Sequence, residues 1–114
     1  FNGIASLVLA ESNNRVNLGK NCLLGDGITF NTSDSHAVFD IDSNERLNPS
    51  DSINVGEGVW IGANAHFLKK ASISKGSIVA AHSIVTRKFE TENVAVAGNP
   101  ASVIKENVRW EQKV

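Results

Sequence analysis

The sequence predicts an all-β chain wound as a parallel β-helix, and three observations carry that prediction. Large apolar residues recur every six positions as Val55, Ile61, Phe67, Ile73, Val79 and Val85. Four places after each stand Val59, Ala65, Ala71, Ser77, Ser83 and Phe89, which are mostly small. Glycine follows the first two guides directly, as Gly56 and Gly62. An amphipathic helix needs apolar residues at spacings of three and four, which these hexads do not sustain. A short strand followed by a tight turn, repeated, puts one large and one small residue inward per hexad. Three such faces make a triangular coil, and stacked coils hydrogen-bond each strand to its neighbours above and below. The small fourth-place residues suit the little volume inside a narrow prism. An antiparallel sandwich of short strands is the plain alternative, but nothing in a sandwich demands a strict six.

The elements follow in order. Upstream, Leu18, Leu24 and Phe30 keep the register, with Cys22, Ile28 and Asp34 four places after each. From Phe30 to Val55 the interval is 25 residues, one more than four hexads. The stretch 36–52 breaks the apolar period and is rich in Asp, Asn, Ser and Pro, so it reads as a loop expelled from the repeat. Phe30 to Ser35 then ends one coil, residues 55–72 form a second, and 73–90 a third. About four coils are expected in all. The segment 99–114 follows, with a short helix expected after Pro100.

Length and composition set the outer bounds. The 114 residues, 12.2 kDa, leave room for one domain over 1–114. Hydrophobic residues at 41% and charged residues at 20% are ordinary for a globular protein. Eleven basic and twelve acidic residues give a net charge of −1, so no long-range field favours nucleic acid or an anionic membrane. No apolar run approaches a membrane span, and no membrane insertion is expected. The single cysteine, Cys22, excludes an internal disulfide framework and suits a reducing, cytoplasmic compartment. Met is absent and residue 1 is Phe, so we expect the native N-terminus to lie upstream.

The run Val94-Ala95-Val96-Ala97-Gly98-Asn99-Pro100-Ala101, followed by Ser102-Val103-Ile104-Lys105, resembles the ending of the hexapeptide-repeat acyltransferases. The order His36, loop, Asn48-Pro49, Val59-Trp60-Ile61-Gly62 is similar to the galactoside and maltose acetyltransferases. The fuller strings Asp34-Ser35-His36-Ala37-Val38-Phe39-Asp40 and Glu45-Arg46-Leu47-Asn48-Pro49 look nearer the capsular and lipopolysaccharide sugar O-acetyltransferases. The resemblance runs from about Val16 to Lys105. It implies a left-handed coil, where general rules for parallel crossovers would give a right-handed one. It also implies acetyl-CoA as co-substrate, a saccharide acceptor, and a homotrimer with sites between subunits.

Acyl transfer from a thioester to an alcohol needs a base, because the alcohol's pKa is high. Imidazole titrates near neutrality and can accept the proton, then return it to the departing thiolate. His36, at the junction of repeat and loop, is the candidate; the plainer reading is a surface residue. His66 and His82 sit at turn positions and read as structural. Asp34 lies two places before His36, and in an extended segment both side chains share a side. It is a candidate to orient the imidazole, against an Asx turn. Asp40 and a backbone carbonyl are rival partners. Oxyanion donors are a backbone N–H or the hydroxyl of Ser33 or Ser35.

By resemblance, Trp60 lies along the pantetheine arm, Ala63 at a corner touching the cofactor, and Ala81 where a backbone group meets the pantetheine amides. Thr86 and Arg87 stand at the adenine end, with Arg87 or Lys88 facing a phosphate. Ser35, Asp40, Glu45 and Arg46 are the acceptor-binding candidates. Lys70 and His82 replace glycines usual in the family, which bears on the detailed pantetheine contacts. Two other functions stay open: sugar-amine N-acetylation, and a non-catalytic trimeric scaffold. The γ-class carbonic anhydrases share the fold, but the spacing of His36, His66 and His82 does not fit their zinc ligands, and no metal is expected.

Overall fold

A computed structural model describes the backbone of Ala5–Val8 and residues 14–114; the expected upstream terminus lies outside the described residues. The strands are short, as a corner every six residues requires. In chain order they are β1 (Ala5–Val8), β2 (Val16–Leu18), β3 (Leu23–Leu24), β4 (Ile28–Asn31), β5 (Ile53–Val55), β6 (Trp60–Ile61) and β7 (His66–Phe67). There follow β8 (Ser72–Ile73), β9 (Ile78–Val79), β10 (Ile84–Val85), β11 (Lys88–Phe89), β12 (Ala95–Gly98) and β13 (Ala101–Lys105). Every third strand joins the same sheet. The first sheet runs β1-β4-β7-β10, the second β2-β5-β8-β11, and the third β3-β6-β9-β12-β13. All neighbours are parallel except β12 and β13. This is a three-sided parallel β-helix.

The hexad guides stack one coil upon the next. Val55 pairs with Ile73, Ile61 with Val79, and Phe67 with Val85, each 18 residues on. All six guides and all six fourth-place residues are buried, none above 4% exposed. Phe30 and Phe67 stack at 5.1 Å between ring centroids, filling the axis of the prism. Ser77 and Ser83 are buried inside the prism, 0% and 1% exposed. Their hydroxyls accept the backbone N–H groups of Val94 and Gly98, so no polar cost is left there.

Gly56 and Gly62 are explained by the neighbouring coil. A Cβ on Gly62 would lie 2.5 Å from the Ala81 nitrogen, and one on Gly56 2.7 Å from that of Lys75. Glycine is there for close approach of two backbones, not for its conformational freedom. Several non-glycine corners adopt the left-handed conformation, among them Asn64, Lys70, His82 and Asn93, with φ between 58° and 61° or at 62°.

Three expectations are corrected. Leu18 keeps the register but is 45% exposed, because β2 is the terminal strand of its sheet and no described coil covers it. Phe89 pairs with Ile73, so it is the guide of the next coil, not the small-place residue closing 73–90. The corner after β10 is two residues short, which brings Phe89 into the guide position. Residues 101–105 form strand β13, not a helix. Gly98 pairs with Ala101 across the Asn99-Pro100 turn, and β-branched Val103 and Ile104 suit a strand. The hairpin pairs the edge that β12 would otherwise expose.

The segment between β4 and β5 belongs to no sheet. It is rooted where the Asp51 N–H donates to the Thr32 carbonyl at 3.0 Å. Beyond the root it runs as a narrow ribbon. Phe39 bridges Arg46 in antiparallel fashion, Leu47 N–H donates to Val38 O, and Asp40 N–H to Glu45 O. Val38, Phe39, Ile41 and Leu47 on this ribbon are all more than half exposed.

Candidate functional site

The loop leaves the prism at one corner, the turn that joins the first sheet to the second. There Ser35 takes a positive φ of 68°, and its N–H donates to the buried Ser33 hydroxyl at 3.0 Å. That turn swings the chain outward and leaves His36 exposed beside the root of the ribbon. The corners stacked on the same edge are Leu68–Lys70, after β7, and Thr86–Arg87, after β10.

Asp34 is tied to that edge. Its Oδ2 accepts from Lys69 Nζ at 2.8 Å and from Asn48 Nδ2 at 2.9 Å. The Lys69 ammonium, first, and the Asn48 amide, second, hold the Asp34 carboxyl below the ordinary carboxylate range. The carboxylate reaches the His36 segment through Asn48, whose Nδ2 also donates to the His36 carbonyl at 2.8 Å. Asn48 is 7% exposed. Its Oδ1 accepts from Val38 N–H at 2.7 Å and from Arg46 Nε at 3.4 Å. Sequence reasoning passed over both Asn48 and Lys69, since Asn-Pro reads as a turn and Lys69-Lys70 as a corner. The usable signal was an Asn inside a polar loop whose two ends must meet.

The acceptor-binding candidates divide. Ser35 stays beside His36. Asp40 turns its carboxylate to the loop tip, where Oδ1 accepts from Asp42 and Ser43 N–H, both at 2.9 Å. The backbone N–H groups of Ser43, first, and Asp42, second, lower its pKa. Glu45 is exposed on the same ribbon, with Arg46 one place on and turned toward Asn48.

The residues expected at the acyl donor fall in two places. Trp60 faces outward from β6 on the third sheet, 41% exposed, with Leu23 and Ile78 beside it on β3 and β9. Trp110 comes back from the C-terminus to lie 6.1 Å from it, its indole N–H donating to Gly58 O at 2.8 Å. Ala63 and Ala81 occupy one edge, the corner that follows the third sheet. His82 N–H donates to Ala63 O at 2.9 Å, joining the two turns. Thr86, Arg87 and Lys88 stand at the other edge, that of His36. The Arg87 guanidinium lies over the Phe89 ring at 4.1 Å. In a three-sided prism, the edge between the first and second sheets lies opposite the third. His36 and Trp60 therefore do not meet within one chain.

His66 sits on the first sheet with its Nε2 3.1 Å from Asn31 Nδ2, whose Oδ1 is buried without a partner. Among the described residues no three His, Cys, Asp or Glu side chains gather as metal ligands would.

No protein-family model matches the chain. It is 37% identical over 95 residues to a polysialic acid O-acetyltransferase of Escherichia coli O1:K1 / APEC, covering 83% of this chain and 31% of the relative. It is 30% identical over 112 residues to the polysialic acid O-acetyltransferase of Neisseria meningitidis, covering 98% of this chain and 52% of the relative. The chain thus spans about half, or less, of the curated relatives it matches. The solved polysialic acid O-acetyltransferase OatWY superposes with a TM-score of 0.89 at 29% identity, over 99% of this chain and 52% of that one. A hexapeptide-repeat acetyltransferase of Vibrio cholerae, solved with acetyl coenzyme A, superposes at 0.60 and 26% identity, over 80% of this chain and 49% of that one. Parallel three-sided coils, six-residue guides and these superpositions agree: the chain has the left-handed β-helix of the hexapeptide-repeat acyltransferases, to which it is similar over most of its length.

Proposed function

We infer that this chain is the β-helical part of an acetyltransferase that moves acetyl from acetyl-CoA to a saccharide hydroxyl. The observation that carries it is the similarity to two polysialic acid O-acetyltransferases, one of them aligned over 98% of the chain and so across the whole loop and its root. Acetyl-CoA as donor is supported by the Vibrio cholerae neighbour, solved with that molecule.

His36 is the general base. It is exposed at the root of the loop, where an acceptor can reach it. The acceptor hydroxyl gives its proton to the imidazole as its oxygen attacks the thioester carbonyl. The C–S bond then breaks, and the imidazolium returns the proton to the departing thiolate. No covalent enzyme intermediate forms. Asp34 acts at one remove, holding the His36 main chain through Asn48. Trp60, Ala63 and Ala81 offer an apolar surface and backbone groups to the pantetheine arm. Thr86, Arg87 and Lys88 serve the nucleotide end, and Ser35, Asp40, Glu45 and Arg46 the acceptor.

The site is completed by a second copy of the chain in a homotrimer. Support comes from the prism itself: His36 and Trp60 lie on opposite sides of one chain, and a neighbouring copy can bring them together. No helix among the described residues is long and apolar enough to cross a membrane. The cytoplasm, where acetyl-CoA is made and thiols such as Cys22 stay reduced, is the compartment we assign.

The test is thiol release from acetyl-CoA across a panel of oligosaccharides, nucleotide sugars and polysialic acid. Release with an alcohol acceptor supports the function; calorimetry showing no binding at millimolar acetyl-CoA, with the trimer intact, leaves a scaffold instead. His36→Ala should lower turnover by roughly 10²–10⁴-fold with donor affinity nearly unchanged. A variant that keeps most of its turnover removes His36 from the base role.

A further inference from the structure

We propose that Asn48 is a positioning residue for the base, one that sets where His36 stands by holding its main-chain carbonyl. This rests on the assignment of His36 as base.

The geometry is that of a fastener. Asn48 lies on the returning arm of the loop, and His36 and Val38 on the departing arm. One amide spans the two: Nδ2 donates to His36 O at 2.8 Å, and Oδ1 accepts from Val38 N–H at 2.7 Å. The carbonyl of residue 36 and the N–H of residue 38 are thus fixed by one planar group. The same Nδ2 donates to Asp34 Oδ2 at 2.9 Å, and Asp34 is held by Lys69 at 2.8 Å on the next coil's corner. Lys69, Asp34 and Asn48 form a chain from the rigid stack of coils to the backbone that bears the imidazole. A terminal amide is the one neutral side-chain group offering two donors and an acceptor in a plane. At 7% exposed, Asn48 is also shielded from water that would compete for these bonds.

The alternative is that Asn48 merely closes the loop. The ribbon has its own closures, however: Asp51 N–H to Thr32 O at the root, and Leu47 N–H to Val38 O along the arms. With these in place, loss of the amide should leave the fold standing and release chiefly the segment 34–38.

Asn48→Asp tests this. It keeps an acceptor for Val38 N–H, loses the donor to His36 O, and sets a second carboxylate against Asp34. Turnover should fall about 10–100-fold, the scale of a misplaced catalytic group, with KM for acetyl-CoA within about twofold. The same change made in the His36→Ala background should alter turnover less than about twofold, because a residue acting through His36 has nothing left to position. Equal losses in both backgrounds, or no loss in either, overturn the proposal. Asn48→Ser, which keeps one donor, carries the same comparison if the aspartate variant does not fold. Retained activity in His36→Ala alone overturns the base assignment itself, so the two failures are told apart.

Discussion

Asp34 illustrates how one residue's surroundings decide its behaviour. It is a carboxylate on an exposed stretch of loop, and by position alone it would titrate near 3.8. The Lys69 ammonium and the Asn48 amide both bond its ionised form, so its pKa falls. A carboxylate depressed in the folded state adds stability above the ordinary value, and that contribution is lost as pH falls through the lowered one. The root of the loop should therefore stay closed at neutral pH and loosen only in strong acid. Lys69→Gln should raise the Asp34 pKa toward 3.8 and shift that loosening upward, as read from the carboxyl carbon in an NMR titration. An unmoved titration would mean that Lys69 does not hold Asp34. At this scale, sequence singled out His36 and its flanking string as a candidate, but not the wiring around it. The spacing of Asp34 and His36 suggested a direct pair; the positive φ at Ser35 breaks the extended geometry on which that depended. Asp40 was equally unreadable, because its carboxylate serves the turn three residues on.

Between strand and corner, the six-residue period was legible because each position has a single task. A guide must fill the axis, a fourth-place residue must be small, and the residue after some guides must have no Cβ. What the period could not show was an interruption of its own rhythm. The corner after β10 is two residues short, so Phe89 changes role; β13 lies outside the repeat and answers to the free edge of β12. Substitutions at two positions separate the physical reasons for the corner residues. Gly62→Ala places a methyl against the Ala81 backbone and should cost about 1–3 kcal/mol, since neither coil can yield without disturbing its ladder. At Lys70 the strain is in φ, 61°, and not in space. Lys70→Gly should be neutral or stabilising by up to about 1 kcal/mol, while Lys70→Val should cost about 1–2 kcal/mol. Chemical denaturation of the three variants gives the order; a Gly62→Ala protein as stable as the parent would show that the coils are not packed as closely as described.

Across the molecule, the three faces differ in a way the coil count alone does not require. The second sheet presents Asn17, Asn54, Ser72 and Lys88 outward, a polar face with Asn17 bonded to Asn54 at 2.7 Å. The third presents Leu23, Trp60, Ile78 and Ala95, an apolar one. The loop adds Ile41, 97% exposed, and Phe39, 52% exposed, far from any core of their own. Apolar groups placed so far into water gain stability only when something covers them, at roughly 25 cal/mol for each Å² removed. In the proposed homotrimer, copies of the chain supply that cover, and the loop of one reaches toward another. Sedimentation should then show a species of three times the 12.2 kDa chain mass. Ile41→Asp should weaken it, lowering the trimer fraction at micromolar concentration while leaving the far-ultraviolet spectrum of the coils unchanged. Donor binding should fall in step with the trimer fraction, because Trp60 and His36 lie on opposite sides of each prism. A monomer that binds acetyl-CoA as tightly as the parent trimer would refute the shared site.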